Sequence, residues 1–453
     1  MSAGTSTQLL DPLFTTDRMR TVFSDRGRLQ GMLDFEAALA RAEARAGVIP
    51  AAAAAPIASQ CRAEAFDIGD LARGSALAGN TAIPMVKALT ALVSGRDETA
   101  SRFVHWGATS QDAMDTGLVL QLRDALDLID ADLARLAGVL AGLAGAHRRT
   151  VLAGRTWLQQ ATPVTLGLKA AGALSAIERH RARIGELRSR VLVIQFGGAS
   201  GTLAALGADG MKVAAALADE LKLGLPDVPW HAQRDRVAEV ATALGLLVGT
   251  LGKIARDISL LMQTEVGEAF EPAAAGKGGS STMPHKRNPV GCAAILAAAI
   301  RVPGLVSVML TAMVQEHERG LGDWHAEWDT LPEICCLAAG ALAQGTQVLE
   351  GLELDPVRMA ENLEVTRGLI LAEAVTMALG GRIGRLPAHH LVEAACRRAV
   401  AEKRHLRDVL GEDAEVRKHL FAADLQRLLD PANYIGLAET LVERALAART
   451  DPS

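Results

Sequence analysis

The sequence predicts an all-α protein organised around long helices, and three observations lead to that prediction. The chain of 453 residues is rich in alanine, leucine, arginine and glutamate, which all favour helices. Runs of alternating polar and apolar residues, which a half-buried strand would require, are nearly absent. Two segments place apolar residues three and four positions apart over many turns, a spacing typical of long helices that pack at a shallow angle.

Apolar spacing, proline and glycine together set the expected helix boundaries. The regular spacing covers residues 119–143 and 237–261. Thr162-Pro163 and Asn288-Pro289 each predict an N-cap followed by a proline in the first turn, and Gly197-Gly198 predicts a helix end. We therefore expect five long helices, over about 111–149, 163–196, 230–270, 289–318 and 324–352.

Three helical domains are expected along the chain. Residues 1–110 and 354–453 carry shorter helical patterns and are expected to form an N-terminal and a C-terminal domain. Residues 111–353 are expected to form the central bundle of long helices. Helices of this length leave apolar stripes exposed in a monomer, so we also expect self-association.

Composition and charge exclude several classes of protein. Hydrophobic residues make up 49% of the chain, too many for an intrinsically disordered protein. The 47 lysines and arginines against 52 acidic residues give a net charge of −5, without the basic stripe of a nucleic-acid binder. The first residues lack a signal-peptide pattern, and the uncharged, apolar stretch 334–349 is shorter than the roughly 18–20 residues of a membrane span. Five cysteines at no metal-like spacing indicate reduced thiols, so we expect a cytoplasmic protein without a membrane or nucleic-acid partner.

One connecting segment carries residues suited to chemistry. Residues 275–289, between the third and fourth expected long helices, have the sequence AGKGGSSTMPHKRNP. Glycines and serines favour a mobile loop, and the adjacent Lys286 and Arg287 at a helix start suit a carboxylate or phosphate. From composition alone, a plain flexible connector is the alternative interpretation.

The order of residues in this loop resembles a family signature. GSSTMPHKRNP is similar to the signature loop of the fumarase/aspartase superfamily, and HWGATSQD at 105–112 and GRTWLQQATP at 154–163 resemble two further regions of that family. The resemblance implies an all-α fold in which a central bundle of five long helices is flanked by two helical domains. It further implies a homotetramer with a twenty-helix core, active sites shared between three subunits, and neither a metal nor an organic cofactor.

The same resemblance implies roles for individual residues. Ser280 matches the catalytic base, which removes a proton α to a carboxylate through an aci-carboxylate while a β-substituent leaves, and the loop must provide a cationic environment that deprotonates it. Thr109 and Ser110 match a pair that holds a substrate carboxylate. Lys286 and Asn288 match two carboxylate-binding positions. The other expected substrate-binding residues are His105, Thr156, Trp157, Gln159 and Arg319.

Two basic side chains in these regions have structural alternatives. His105 precedes the Thr-Ser pair and is expected near the substrate, but a structural hydrogen-bonding histidine is the alternative interpretation. Arg287 lies between the two carboxylate-binding positions of the loop, where a structural or solvated arginine is the favoured interpretation.

Two departures from the superfamily pattern narrow the expected activity. Lyases of the superfamily carry a histidine after GRT that handles the proton of the leaving group, whereas this chain carries Trp157, whose indole cannot exchange a proton near neutrality. Adenylosuccinate-type members bind a nucleotide phosphate with a serine and an arginine in the region of Trp324 and Trp328. We expect both tryptophans to be packing residues, which disfavours nucleotide binding.

Together the departures resemble a cycloisomerase branch of the superfamily, in which one carboxylate of a small tricarboxylate diene adds within the same molecule. An adenylosuccinate-type lyase, or another lyase of the superfamily, is the alternative enzyme. A helical tetramer that has lost catalysis is the alternative from another class of protein, but the intact Ser280, Lys286 and Asn288 argue against it.

Overall fold

The computed structural model describes residues 8–273, 276, 278–279, 282–283 and 285–449, and these residues are mostly helical. The described α-helices are α1 (Asp11–Phe14), α2 (Asp17–Val22), α3 (Asp25–Ala46), α4 (Ala51–Gln60), α5 (Ile68–Ala78), α6 (Ala82–Ser94), α7 (Glu98–Ser101), α8 (Ser110–Ala146), α9 (Leu166–Val191), α10 (Gly210–Leu221), α11 (Asp235–Leu261), α12 (Val290–Thr311), α13 (Asp323–Glu350), α14 (Pro356–Leu363), α15 (Ala372–Ile383), α16 (Arg385–Glu402), α17 (Leu406–Glu412), α18 (Ala414–Arg417), α19 (Ala422–Leu428) and α20 (Ala438–Ala447). The described strands are β1 (Val151–Thr156), β2 (Gln159–Thr165), β3 (Ala269–Phe270) and β4 (Glu353–Leu354). They form two antiparallel two-stranded sheets, β1 with β2 and β3 with β4.

The five expected long helices are present as α8, α9, α11, α12 and α13, which confirms the mostly helical prediction. Their observed ends differ from the expected ends by up to nine residues, the largest difference being at the end of α11. Helix α11 ends at Leu261, whose carbonyl accepts a hydrogen bond from the Glu268 N–H at 3.0 Å, directly before β3. Helix α3 has 22 residues, as many as α12, although its region was expected to hold shorter helices.

The start of α9 corrects the sequence prediction. Thr162-Pro163 does not cap a helix, because both residues lie in β2, where Pro163 is opposite Ala153. The strand register shifts directly after Ala153, and proline, which lacks an N–H, is tolerated at such an irregularity. The helix is capped three residues later, where the Thr165 hydroxyl accepts a hydrogen bond from the Leu168 N–H at 3.1 Å.

Two compact units can be distinguished by their internal contacts. One unit comprises Met1–Leu133, His180–Gly252 and Ala294–Gln344, and the other comprises Ala134–Arg179, Lys253–Ala293 and Gly345–Ser453. All the divisions fall inside the long helices. The expected three-domain division at residues 110 and 353 partitions the chain differently and stays a prediction.

Burial along α8 follows the spacing seen in the sequence. Within the first unit Leu122, Leu126, Ile129 and Leu133 are each at most 1% exposed. Helix α3 packs against α4 and α10 in the same unit and buries its own apolar face. The 3-4 spacing therefore marks a buried stripe, as predicted.

Two helices of the described residues, α11 and α12, are long and apolar enough to cross a membrane by length and composition. More than half of the apolar window of α11 is buried, as in a core helix, whereas only 28% of that of α12 is buried. The sequence of α12 does not stand out as a long uncharged stretch, because Arg301 interrupts it. Its exposed Ile300 and Leu310 form part of an apolar surface that another protein surface can cover.

Candidate active site

Asp112 organises the loop that precedes α8. Its completely buried carboxylate lies in the first turn of the helix, where the side chain can reach back to the backbone before the helix. It accepts hydrogen bonds from Thr109 N (3.0 Å), Gly197 N (3.0 Å), Gly198 N (2.9 Å), Gln195 Nε2 (3.2 Å) and His231 Nε2 (2.7 Å). Gly198 has a φ of +70°, and a side chain there would also approach Gly107 O at 3.0 Å. One carboxylate therefore ties the Thr109 loop to the glycine turn that follows α9.

Arg319 joins the same loop from a distant part of the chain. Its Nε donates to Gln111 Oε1 at 2.9 Å, and its Nη2 donates to Ala199 O at 3.1 Å. Nη2 also lies 3.5 Å from the Thr109 hydroxyl. The structure thus brings together Thr109 and Arg319, two residues predicted to bind substrate, with Ser110 at the first position of α8 beside them.

A buried ionic cluster lies beneath Gln111. Arg234, 1% exposed, donates to Asp115 at 2.7 and 3.0 Å and to Glu327 at 2.6 Å. Burial opposes the charge of Arg234, but the two carboxylates outweigh it and raise the pKa of the guanidinium. Burial, together with the charge of the nearby Asp115, raises the pKa of Glu327 despite its ion pair with Arg234. Trp324 donates its indole N–H to Asp115 at 3.3 Å.

Trp324 and Trp328 are packing residues in the structure, as predicted. Their rings meet edge to face with centroids 5.0 Å apart, and the ring of His325 lies 4.4 Å from that of Trp328. Trp324 is 5% exposed and donates its N–H inward, so its indole is committed to the protein interior.

His105 is held by a buried carboxylate. Its Nδ1 lies 2.6 Å from Glu36 Oε1, and Glu36 is 1% exposed. Burial opposes the imidazolium, but the Glu36 carboxylate and the hydrogen bond outweigh it and raise the pKa of His105. The structural hydrogen bond therefore exists, and Nε2, which makes no hydrogen bond to the described residues, stays available for a second role.

Glu43, about two turns further along α3 than Glu36, is also buried. Neither of its carboxyl oxygens has a hydrogen-bond partner among the described residues. Burial, together with the nearby Glu36 charge, raises the pKa of Glu43 to about 9. Glu43 is therefore a neutral carboxylic acid at pH 7.

The second unit carries Thr156, Trp157 and Gln159 on one hairpin. Thr156 and Gln159 pair across a two-residue turn whose central residues, Trp157 and Leu158, have φ values of +53° and +62°. Positive φ at both positions is what a tight hairpin turn requires, although neither residue is a glycine. Trp157 is 97% exposed and Leu158 76% exposed, so the hairpin ends in two bulky apolar side chains that no described residue covers.

The base of this hairpin is rigidly anchored. Arg155 donates two hydrogen bonds to the completely buried Glu268, at 2.6 and 3.0 Å. Asn362 adds a hydrogen bond to the same carboxylate at 2.8 Å. A bidentate pair with a third donor fixes the strand that leads directly to Thr156.

Two described residues of the signature loop, Gly278 and Asn288, are joined through their backbones. Ser280 lies outside the described residues. The Asn288 N–H donates to Gly278 O at 2.8 Å, and a side chain at Gly278 would approach Asn288 O at 2.6 Å. Lys286 is exposed and makes no ion pair with the described residues. Arg287 is structural, as expected, because it donates to Glu353 at 2.8 Å and to the backbone carbonyl of Glu271 at 2.6 Å.

The predicted residues fall into three groups. Thr109, Ser110 and Arg319 meet at one loop, with His105 in the segment just before it. The hairpin residues and the loop residues Lys286 and Asn288 belong to the other unit. Sequence reasoning missed the structural partners, which are Glu36, Gln111, Asp112, Ala199 and Arg234. A signal existed only for Asp112, which follows Thr109 by three positions as a capping residue would.

Several known proteins resemble this chain over most of its length. A family model described as "Lyase" matches residues 13–304, and one described as "Adenylosuccinate lyase C-terminus" matches residues 368–445. The 3-carboxy-cis,cis-muconate cycloisomerase of Pseudomonas aeruginosa is 65% identical over 447 residues, covering 99% of this chain and 97% of that protein. That of Pseudomonas putida is 62% identical over 418 residues, covering 92% of this chain and 99% of that protein. The crystal structure of the 3-carboxy-cis,cis-muconate lactonizing enzyme from Pseudomonas putida superposes with a TM-score of 0.94 at 61% identity, covering 97% of this chain and 98% of that one. The chain therefore belongs to the lyase family of the fumarase/aspartase superfamily.

Proposed function

We propose that the chain catalyses the cycloisomerisation of 3-carboxy-cis,cis-muconate to 4-carboxymuconolactone, a step in the protocatechuate branch of the β-ketoadipate pathway. The observation that carries the proposal is the 65% identity to a cycloisomerase over 99% of the chain. In this reaction one carboxylate of the diene adds to the carbon that bears the 3-carboxyl group. The neighbouring carbon, α to another carboxylate, receives a proton.

Ser280 is the proposed proton carrier of this reaction. In the lactonising direction it delivers the proton to the aci-carboxylate carbon, and in the reverse direction it removes that proton. Lys286 and Asn288, close to it in sequence, are the proposed ligands of the carboxylate whose α carbon is protonated. The exposed ammonium of Lys286, which makes no ion pair with the part of the chain that the structure describes, supports this role, because its charge is then available to the substrate.

Thr109, Ser110 and Arg319 are the proposed ligands of the remaining carboxylates. The support for this proposal is geometric, since the Arg319 guanidinium lies 3.5 Å from the hydroxyl of Thr109 in the loop before α8. His105 is proposed to approach the substrate with its free Nε2, and Thr156, Trp157 and Gln159 to line the pocket. Because the diene is held folded, ring closure becomes an intramolecular reaction of positioned groups. The proposed reaction needs no metal or organic cofactor.

We further propose a homotetramer whose active sites are shared between subunits. Two surfaces support it. Only 28% of the apolar window of helix α12 is buried, and a twenty-helix core would cover the rest. The hairpin tip exposes Trp157 almost completely, although the residue belongs to the predicted site, so a neighbouring copy is the proposed cover. The proposed assembly is cytoplasmic and has no nucleic-acid or membrane partner.

An adenylosuccinate-type lyase is the second candidate, because the C-terminal family match at 368–445 carries that description. The experiment offers the purified chain two substrates. We expect the diene absorbance of 3-carboxy-cis,cis-muconate to disappear at an enzyme-like rate, and adenylosuccinate to release no fumarate. Fumarate release without loss of diene absorbance would overturn the proposal in favour of the lyase.

A further inference from the structure

We propose that Gln111 is a positioning residue that holds the Arg319 guanidinium with its charge unneutralised for a substrate carboxylate. The inference deepens the proposed function and rests on it. Gln111 is 1% exposed, lies one residue into α8, and is the partner of the Arg319 Nε at 2.9 Å. No sequence motif assigns it a role.

The orientation of the Gln111 amide is fixed by acceptors. Its Nε2 donates to Asp115 Oδ2 at 3.0 Å and to the backbone carbonyl of His231 at 2.8 Å. Both partners can only accept, so Nε2 must face them and Oε1 must face Arg319. A flipped amide would take one donor from each of two buried acceptors, turn its own oxygen toward them and place an N–H against a guanidinium, which is strongly unfavourable.

Asp115, which accepts from the Gln111 amide, is itself held by several hydrogen bonds. Asp115 accepts two hydrogen bonds from Arg234 and one from the Trp324 indole, in addition to that from Gln111. Arg234 in turn binds Glu327. Because every member of this buried network is satisfied by another, the position of Gln111 follows from the core rather than from the flexible surface.

The partners of Arg319 are all uncharged. They are an amide oxygen, the Ala199 carbonyl oxygen and the Thr109 hydroxyl, and Arg319 makes no ion pair with the described residues. By contrast Arg155, Arg234 and Arg287 are each paired with a carboxylate. Arg319 is therefore held in place without neutralisation, and its Nη1, which makes no hydrogen bond to the described residues, is left for an anionic ligand.

The test is a double-mutant cycle of Gln111→Met and Arg319→Lys, read as KM and kcat for 3-carboxy-cis,cis-muconate. Methionine keeps the length of the side chain but lacks the amide oxygen that accepts the hydrogen bond from Arg319. We expect Gln111→Met alone to raise KM by about tenfold or more, the scale of a lost hydrogen bond to a charged group, with a smaller change in kcat. In the Arg319→Lys background the same change should alter KM by less than about twofold.

Two further variants separate positioning from general damage. Gln121→Met is the matched control, because Gln121 is also a buried glutamine of α8, 6% exposed, but donates to Val22 O instead of contacting Arg319. It should leave KM unchanged. Gln111→Glu keeps the shape and places a carboxylate against Arg319, so it should also raise KM, and it serves if the methionine variant does not fold.

Two results would overturn the inference. One is that Gln111→Met raises KM by the same factor in the wild-type and Arg319→Lys backgrounds, and the other is an unchanged KM in the folded Gln111→Glu variant. The proposed function is tested separately by the wild-type chain in the same assay. If the wild type does not consume the diene, the function fails, whereas an active wild type with additive variants refutes only the role of Gln111.

Discussion

Trp157 stands where lyases of the superfamily carry a histidine, and the chemistry of the leaving group explains why a tryptophan can replace it. In the elimination direction fumarase expels hydroxide and the lyases expel nitrogen, both strongly basic groups that need a proton. The lactone expels a carboxylate, whose conjugate acid has a pKa near ~4 and which is stable as an anion at pH 7. We therefore expect no general acid to be needed at this position.

Exchanging Trp157 tests that explanation. Trp157→Phe should keep substantial cycloisomerase activity, because the ring fills the pocket rather than moving a proton. Trp157→His should not increase kcat. A tenfold acceleration by histidine, with a new dependence on pH near ~6.5, would show that protonation of the leaving group limits the rate and that the explanation is wrong.

Ser280 is the residue whose loss should be most severe. Ser280→Ala removes the proposed proton carrier and should lower kcat by about 10²–10³-fold or more, the usual scale for a lost acid–base group. The oligomeric state, measured by light scattering, should not change. The neighbouring Ser281→Ala variant is the control and should lose much less. Turnover of Ser280→Ala at the wild-type rate would refute the assignment.

At the scale of single elements, the structure shows what a one-dimensional pattern contains and what it lacks. The long helices could be predicted because their spacing repeats over many turns, and α8 indeed buries Leu122 and Leu126 along one stripe. The β1–β2 hairpin could not be predicted, since its turn has no glycine and its second strand contains Pro163. Both features normally argue against a strand, and here they are accommodated by positive φ and a shift of register.

Helix α3 carries a buried carboxylic acid with a predictable effect on stability. The pKa of Glu43 in the folded protein, about 9, lies above the ordinary value of 4.5 for a glutamate. Such a group stabilises the fold fully below about pH 4.5, and this contribution is lost as the pH rises toward 9. At pH 7 the wild type therefore bears a cost of about 3 kcal/mol for keeping Glu43 protonated.

Glu43→Gln keeps the shape of the protonated acid and removes its titration. We expect the variant to be more stable than the wild type at pH 7, by up to a few kcal/mol, and equal to it near pH 4.5. Urea unfolding at several pH values measures the difference. Glu64→Gln, at an exposed glutamate, is the control and should show none. A variant that is less stable than the wild type at pH 7 would contradict a neutral Glu43.

At the scale of the whole molecule, the candidate site depends on pairs that no sequence pattern indicates. Asp112 binds His231 119 positions away, and Arg234 binds Glu327 93 positions away. Such pairs are set by the fold. The resemblance to a family therefore suggested the residues that are proposed to contact substrate, whereas the groups that hold those residues in place were missed. The proposed oligomer rests on surfaces, chiefly on α12, of whose apolar window only 28% is buried.

A shared site predicts complementation between inactive subunits. Ser280→Ala removes the proton carrier, and Thr109→Val removes the hydroxyl next to Arg319 while keeping the shape of the side chain. If the two residues serve one site from different subunits, mixed tetramers contain some intact sites. Subunit exchange should then restore part of the wild-type rate. No recovery after exchange has been verified by mass spectrometry of the mixed tetramers would count against a shared site.

The proposed reaction places one solvent proton at a defined carbon, and NMR spectroscopy can count it. The chain is incubated with 3-carboxy-cis,cis-muconate in D₂O and the product is recorded by ¹H NMR. We expect 4-carboxymuconolactone with one deuterium on the methylene carbon next to the acetate carboxylate, formed by the wild type and not by Ser280→Ala. A lactone without deuterium at that carbon, or an enzyme that leaves the diene unchanged, would contradict protonation at the carbon α to a carboxylate.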